Sequence, residues 1–85
     1  MSRIVLYTKT LCSYCHRAKE LLEMKGASYE EIDILKNEER FDEMVGRSGG
    51  KTTVPQIFIN NKHVGGYDDL LALEIKGKLD ELLKD

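Results

Sequence analysis

The sequence predicts an α/β layer fold with the element order βαβαββα. Two observations predict this class. A strand-like run, a helical run and a second strand-like run follow one another through short links, and a later hairpin leads into a final helical run. Consecutive strand, helix and strand form a right-handed unit, so the first two strands are expected to be parallel.

The first half of the chain supplies this βαβ unit. Residues 3–8, RIVLYT, are β-branched and aromatic with apolar residues on both faces, which is typical of a central strand. Residues 13–25 show helical spacing and precede Gly26, a common helix stop. Residues 29–34, YEEIDI, form the second predicted strand. The apolar positions of the helix are Ala18, Leu21, Leu22 and Met24.

A second helix and a hairpin follow. Asn37 is suited to cap a helix that ends near Gly46. Beyond a glycine-containing loop, Gln56–Ile59 and residues 62–64 are predicted strands, and the Asn60-Asn61 pair between them is typical of a tight turn. The inner stripe of the helix is formed by Phe41, Met44 and Val45.

The chain ends in one predicted helix that starts at Asp68 or Asp69 and has a weak point at Gly77. Because 85 residues leave no room for a second core, we expect a single domain spanning 1-85. The apolar positions of this last helix are Leu70, Leu71, Leu73, Ile75, Leu79, Leu82 and Leu83.

Composition and charge narrow the function classes. Hydrophobic residues make up 41% and charged residues 33% of the chain, which is typical of a globular protein. The net charge of -2 provides no basic surface for nucleic acid, and no apolar run approaches the ~20 residues needed to cross a membrane. The N-terminal residues do not resemble a secretory signal, so we expect a cytoplasmic protein. In that compartment a C-x-x-C pair is more often catalytic or metal-binding than structural.

The segment TLCSYCHRA, residues 10–18, is compatible with three chemistries. As C-x-x-C-H it could attach haem with His16 as an axial ligand, although no export signal is present. As half of a zinc site it would need four ligands, but His16 directly follows Cys15, and His63 lies on a strand. As a redox pair it needs one accessible thiolate and one resolving thiol a helical turn away.

The redox interpretation is the one that the context favours. Cys12 falls at the predicted helix start, where unpaired N–H groups and the helix dipole favour a thiolate, and Lys9 adds a positive charge nearby. Cys15 lies in the first turn and can attack the sulfur of Cys12 once that sulfur carries a mixed disulfide. The loop that holds them follows a parallel strand, at the sheet edge where open α/β sheets place their sites.

Three ordered segments extend the pattern over nearly the whole chain: YTKTLCSYCHRAKELL at 7–22, TTVPQIFINNKHVGG at 52–66 and YDDL at 67–70. In these segments the chain resembles the glutaredoxins. The resemblance implies a thioredoxin-like fold with a four-stranded mixed sheet flanked by helices, and glutathione as co-substrate. Thioredoxin itself is the nearby alternative, but it usually has Trp before the first Cys and Gly-Pro between the cysteines, where this chain has Leu11 and Ser13-Tyr14.

The resemblance also implies a glutathione site. In glutaredoxins a Lys at the position of Lys9 binds the glycyl carboxylate, a role that suits a point-charge ammonium. The residue before a cis-proline, here Val54, pairs with the cysteinyl backbone. Helix N-terminal amides around Tyr67 hold the γ-glutamyl carboxylate. The complete set implied for this chain is Lys9, Tyr14, Thr53, Val54, Pro55, Gly66, Tyr67, Asp68 and Asp69.

Within this set, either Asp68 or Asp69 is expected to pair with the ammonium of glutathione, and Tyr14 to form an aromatic wall beside the sulfur. Taken alone, such residues are ordinary surface and turn residues, and only their joint occurrence around the C-x-x-C pair indicates a site. Tyr67 stands where many family members have a small residue or Cys, and this leaves the shape of the γ-glutamyl pocket open.

The function implied is that of a monomeric dithiol enzyme in which Cys12 attacks disulfide-bonded or glutathionylated proteins and Cys15 or glutathione resolves the product. An alternative is a [2Fe-2S] carrier, in which two chains each give Cys12 and two glutathiones supply the other thiolates. Ser13, where the commonest family pattern has Pro, keeps this alternative open. We interpret His16, His63 and Arg47 as structural or solvated.

Overall fold

A computed structural model of the chain describes residues 3–84 and confirms the α/β class. Its four strands form one sheet in the order β2-β1-β3-β4, in which β1 runs parallel to β2 and antiparallel to β3. This is the four-stranded mixed sheet that the resemblance implies. The elements are β1 (Ile4–Thr8), α1 (Ser13–Met24), β2 (Glu30–Asp33), α2 (Glu38–Arg47), β3 (Gln56–Ile59), β4 (Lys62–Gly65), α3 (Tyr67–Ile75) and α4 (Leu79–Leu83).

The core lies on both faces of the sheet. All five residues of β1 are buried, as the apolar run on both of its faces predicted. On one face Leu6 packs in a cluster with residues of α1, α3 and α4, and on the other Val5 packs in a cluster that includes Met44 of α2. The sheet is therefore covered on both sides, which fixes the end of β1 and the loop that follows it.

The hairpin between β3 and β4 agrees with its sequence signal. Asn60 and Asn61 have φ angles of 53° and 68°, the left-handed backbone of a two-residue hairpin turn. The Asn60 side chain also accepts a hydrogen bond from the backbone N–H of Arg3 at 2.9 Å, which ties the turn to the start of the sheet.

The prediction of a single C-terminal helix is wrong, because the chain forms α3 and α4 with a break at Gly77. Gly77 has a φ of 74°, which a glycine adopts without a side-chain penalty. Its N–H donates to Glu74 O at 3.0 Å and the N–H of Lys78 donates to Leu73 O at 2.9 Å. These two bonds are the Schellman pattern that ends helices, so α3 ends here and does not continue into α4.

Three smaller expectations also differ from the structure. Met24 and Ile75, predicted at apolar positions, are 82% and 76% exposed, because each is the last residue of its helix and projects beyond the core. Asn37 occupies the N-cap position of α2, but its side chain donates to Asp33 O instead of capping the helix. Helix α3 begins at Tyr67 after an N-cap Gly66, rather than at Asp68 or Asp69 as predicted. Within residues 3–84 no helix has the length and apolar character needed to span a membrane.

Candidate active site

Cys12 is the N-cap residue of α1. Its sulfur accepts a hydrogen bond from the backbone N–H of Cys15 at 3.2 Å and lies 4.0 Å from the carbonyl oxygen of Val54. The side chain is half-buried and forms no disulfide. A sulfur in this position faces the unpaired N–H groups and the positive end of the helix dipole, which stabilise negative charge.

Cys15 lies one turn further along α1 and is only 2% exposed. Burial, together with a hydrogen bond to Cys12, raises the pKa of the Cys15 thiol to about 12. Cys15 therefore keeps its proton at neutral pH. The two thiols of the C-x-x-C segment thus differ in their access to solvent.

The turn before Cys12 has unusual backbone geometry. Leu11 has a φ of 63° and is fully exposed, a combination that is rare for a bulky residue and indicates local strain. Thr10 anchors this turn by donating to the Asp33 carboxylate at 2.9 Å. Beside the turn lies an open cavity of about 700 Å³, which Lys9 and Cys12 both line.

A second, smaller cavity lies between the start of α3 and the segment that contains Val54. Its volume is about 230 Å³. It is lined by Tyr14, Thr53, Val54, Pro55, Gly66, Tyr67 and Asp68, all of which belong to the predicted glutathione set. Three of these residues also line the larger cavity with Lys9, so the two cavities share a wall. The structure therefore gathers eight of the nine predicted residues around these two cavities.

The shared wall is the segment that enters β3. The Val54-Pro55 peptide bond is cis. The Gln56 side-chain amide donates to the carbonyl oxygen of Thr53 at 3.0 Å and to its hydroxyl at 3.3 Å. Across the cavity, the rings of Tyr14 and Tyr67 lie 6.2 Å apart between centroids. The bulky Tyr67 thus forms part of an aromatic lining of this pocket.

Asp69, the ninth residue, has a different position from the others. Its carboxylate accepts a hydrogen bond from the backbone N–H of Gly66 at 3.0 Å, at the start of α3. Gly65 has a φ of 120°, and a Cβ there would lie 2.3 Å from the Asp69 carboxylate, so only glycine fits. Of the two predicted acidic partners for an ammonium, only Asp68 lines the pocket.

The histidines considered as zinc ligands point to other partners. His16 pairs with Glu20 at 2.8 Å, and His63 is hydrogen-bonded to Gln56 at 2.7 Å. Arg47 donates to the Tyr7 hydroxyl at 2.8 Å. In the described part of the chain, no three His, Cys, Asp or Glu side chains are arranged to hold a metal ion.

Sequence reasoning missed Gln56 as part of this site. It is 3% exposed, and both ends of its amide are hydrogen-bonded. The available signal was a polar residue at the first position of the apolar strand QIFI, directly after the proline. A buried amide needs partners, so its presence in such a strand points to a local hydrogen-bond network.

Comparison with known proteins agrees with this geometry. The family model described as Glutaredoxin matches residues 4–64, which is more than half of the chain. The chain belongs to the glutaredoxin family. It is similar to Glutaredoxin 3 of Escherichia coli K12, with 55% identity over 84 residues that cover 99% of this chain and 100% of that protein. A glutaredoxin of Pseudomonas aeruginosa is 52% identical and covers 98% of each chain.

Solved glutaredoxin structures share the fold. The buckwheat glutaredoxin-glutathione complex matches with a TM-score of 0.88 and 33% identity, covering 96% of this chain and 76% of that one. The solution structure of a glutaredoxin from Brucella melitensis matches with a TM-score of 0.83 and 55% identity, covering 96% and 88%. Glutaredoxins are glutathione-dependent thiol oxidoreductases, and this chain is an enzyme of that class.

Proposed function

We propose that this glutaredoxin reduces protein disulfides and glutathione mixed disulfides in the cytoplasm, with Cys12 as nucleophile and Cys15 as resolving thiol. The observation that carries the proposal is the difference between these two thiols. The Cys12 sulfur is accessible and stabilised by a helix N-terminus, whereas Cys15 is buried directly behind it and remains protonated.

The reaction is a series of thiol–disulfide exchanges. The Cys12 thiolate attacks one sulfur of the substrate disulfide, an S–S bond forms to Cys12, and the substrate thiolate leaves and takes a proton from water. On a protein disulfide, Cys15 then loses its proton and attacks the Cys12 sulfur; a Cys12–Cys15 bond forms, the Cys12–substrate bond breaks, and the second substrate thiolate leaves and takes a proton. Where Cys12 carries glutathione, a second glutathione attacks the sulfur of that glutathione, and Cys12 leaves as the thiolate. Glutathione, oxidised to its disulfide, returns the Cys12–Cys15 pair to the dithiol.

The cavity of about 230 Å³ and its rim are the proposed glutathione site. The backbone of Val54 would pair with the cysteinyl part of the tripeptide, and the first N–H groups of α3 with the γ-glutamyl carboxylate. The Asp68 carboxylate would bind the ammonium, and the Lys9 ammonium the glycyl carboxylate. The gathering of these residues beside Cys12 supports the assignment, as does the similarity to a glutaredoxin described in complex with glutathione.

Two cysteine variants test the thiol roles. Cys12→Ser is expected to remove all activity, because no other accessible thiolate is present in the described chain. Cys15→Ser is expected to retain activity on a glutathionylated peptide, since a second glutathione can resolve that intermediate, and to lose most activity on a protein disulfide. Both are measured in a glutathione-coupled assay. Activity in Cys12→Ser, or equal losses on both substrates in Cys15→Ser, would contradict the roles.

A second function is supported by Ser13 and by one relative. Ser13 is exposed and follows Cys12 directly, and it lacks the restricted φ and missing donor of a proline. A solved structure described as "Metal Binding of Glutaredoxins" is 55% identical, covers 99% of this chain and 90% of that one, and has a TM-score of 0.75. A [2Fe-2S] cluster would supply one-electron chemistry or be passed on, held by Cys12 of two copies and two glutathione thiolates.

Anaerobic reconstitution with iron, sulfide and glutathione tests this second function. We expect a minor brown dimeric form that requires glutathione, and Ser13→Pro should suppress this form while disulfide reduction persists. Iron and sulfide content are measured together with size-exclusion mass, and omission of glutathione is the control. A colourless monomer in every condition would remove the cluster function and leave the disulfide function in place.

A further inference from the structure

A chain of polar contacts connects the outer strand β4 to the wall of the proposed glutathione pocket. It begins at His63 on β4, passes through the buried amide of Gln56 on β3, and ends at Thr53. The first contact measures 2.7 Å and the contact with the Thr53 carbonyl 3.0 Å. None of these three residues takes part in the thiol chemistry.

Hydrogen-bond arithmetic fixes the direction of this chain. A side-chain amide has two donors on nitrogen and one acceptor oxygen. The Gln56 nitrogen faces the carbonyl oxygen and the hydroxyl of Thr53, so it is the donor end. The Gln56 oxygen therefore accepts from His63, whose Nε2 must carry a proton. If the Gln56 amide were flipped, its nitrogen would face the N–H of His63 and its oxygen would face the carbonyl oxygen of Thr53. Neither hydrogen bond could then form.

Packing holds His63 in this orientation although it lies at the surface. Its ring stacks on Phe58, its cross-strand partner, with 4.9 Å between centroids and 35° between planes. The Arg47 guanidinium also contacts Phe58, 4.3 Å from the ring centroid. His63 and Arg47 are thus both tied to the same aromatic ring, and the donor of the polar chain has a defined position.

We propose that Gln56 is a positioning residue for glutathione, with His63 setting the orientation of its amide. This inference rests on the proposed function, because it takes the Thr53–Val54 backbone to be the surface that pairs with glutathione. Pairing with an extended peptide requires that this backbone be fixed in advance, since ordering it on binding would lower the affinity. The two bonds from Gln56 to Thr53 provide that order at the residue directly before Val54.

Three substitutions test the hydrogen bonds from His63 through Gln56 to Thr53 separately. Gln56→Glu keeps the size and the acceptor but removes both donors to Thr53, and it is expected to weaken glutathione binding about tenfold. His63→Phe keeps a ring to stack on Phe58 but removes the donor, and about a threefold loss is expected. His63→Gln retains an N–H donor and should remain within about twofold of the parent. Lys62→Gln, on the same strand and exposed, is the matched control and should have no effect.

The probe is S-methylglutathione, which cannot exchange disulfides, titrated into the ¹⁵N-labelled reduced protein. The dissociation constant is read from the amide shifts of Thr53 and Val54. In enzyme assays Gln56→Glu and His63→Phe should raise the KM for glutathione and leave kcat within about twofold, which a general loss of structure would not do. If circular dichroism shows that Gln56→Glu does not fold, the comparison of His63→Phe with His63→Gln still tests the positioning role.

Different outcomes would overturn the proposed glutathione site and the positioning role of Gln56. Amides of Thr53 and Val54 that do not respond to the probe in the parent protein would overturn the proposed location of glutathione, and the inference with it. Amides that respond in the parent, with an unchanged dissociation constant in folded Gln56→Glu or in His63→Phe, would overturn the positioning role alone.

Discussion

The surroundings of Cys12 and of Cys15 differ although the two residues lie one helical turn apart. Cys12 is surrounded by backbone groups: the N–H of Cys15, the carbonyl of Val54 and the turn at Leu11. Cys15 is almost completely buried. Fixed backbone dipoles stabilise charge on one sulfur, whereas burial opposes charge on the other.

Because both residues are cysteines, position on the helix, and not residue type, gives the two sulfurs their different surroundings. The same difference predicts that substitutions act in different ways on the accessible side of the site, around Cys12, and on the buried side, around Cys15. The accessible side, around Cys12, depends on backbone conformation at the Gly65–Gly66 entry to α3. The buried side depends on the core. The following predictions test this division, starting with the largest expected effect.

Alkylation of the reduced protein should distinguish the thiols most strongly. Because burial raises the pKa of Cys15 to about 12, its thiolate is almost absent at pH 7. Iodoacetamide should therefore modify Cys12 at least about 100-fold faster than Cys15. As the pH rises from the ordinary cysteine pKa of about 8.5 towards the raised pKa of Cys15, the alkylation rate at Cys15 should increase. The ratio of the Cys12 rate to the Cys15 rate should then fall.

Mass spectrometry after tryptic digestion gives the rate at each cysteine. The urea-unfolded chain is the control, in which both thiols should react at similar rates. Equal rates at pH 7 in the folded protein would show that the buried and accessible sides do not differ as described.

The glycine at the entry to α3 should be the most sensitive backbone position of the accessible side. Gly65→Ala places a Cβ 2.3 Å from the Asp69 carboxylate and forces a left-handed φ of 120° on alanine. The expected cost is about 2–3 kcal/mol of unfolding free energy, with a higher KM for glutathione. Urea denaturation and the coupled assay measure the two effects.

Gly46→Ala is the matched control for this substitution. Gly46 lies within α2, has no positive φ, and a Cβ there would meet nothing within 4 Å. Alanine is expected to raise the unfolding free energy by about 0.5–1 kcal/mol, because it loses less conformational entropy in a helix. Equal destabilisation by both alanines would contradict the special role of Gly65.

The sequence predicts the fold well where the signals are local. The apolar run of β1, the helical spacing of α1 and the Asn60-Asn61 turn each depend on neighbouring residues, and each is present in the structure. At Gly77 the sequence predicts only a weak point within one helix, because the apolar spacing continues across it. The two Schellman hydrogen bonds that end α3 there are not visible in a periodic pattern.

The site is less predictable because its geometry joins distant segments. The resemblance named the residues, but not which aspartate would line the pocket. That choice depends on a hydrogen bond from Gly66 to Asp69, which is a property of the folded helix terminus. The network from His63 through Gln56 to Thr53 joins two strands and a loop, so no spacing rule indicates it.

The two neighbouring aspartates of α3 provide the finest test of the accessible side. Asp69→Ala removes the acceptor for the Gly66 N–H and is expected to lower the unfolding free energy by about 1 kcal/mol, the typical value of a helix cap. Asp68→Ala should change stability by less than about 0.5 kcal/mol, because the side chain lies at the exposed rim of the pocket. For glutathione the larger direct effect should come from Asp68→Ala, with a KM about threefold higher and kcat unchanged, as expected for a charge contact at a solvated rim. Denaturation curves and the coupled assay on both variants give the four values. If Asp69→Ala raised the KM without loss of stability, Asp69 and not Asp68 would be the residue that contacts glutathione.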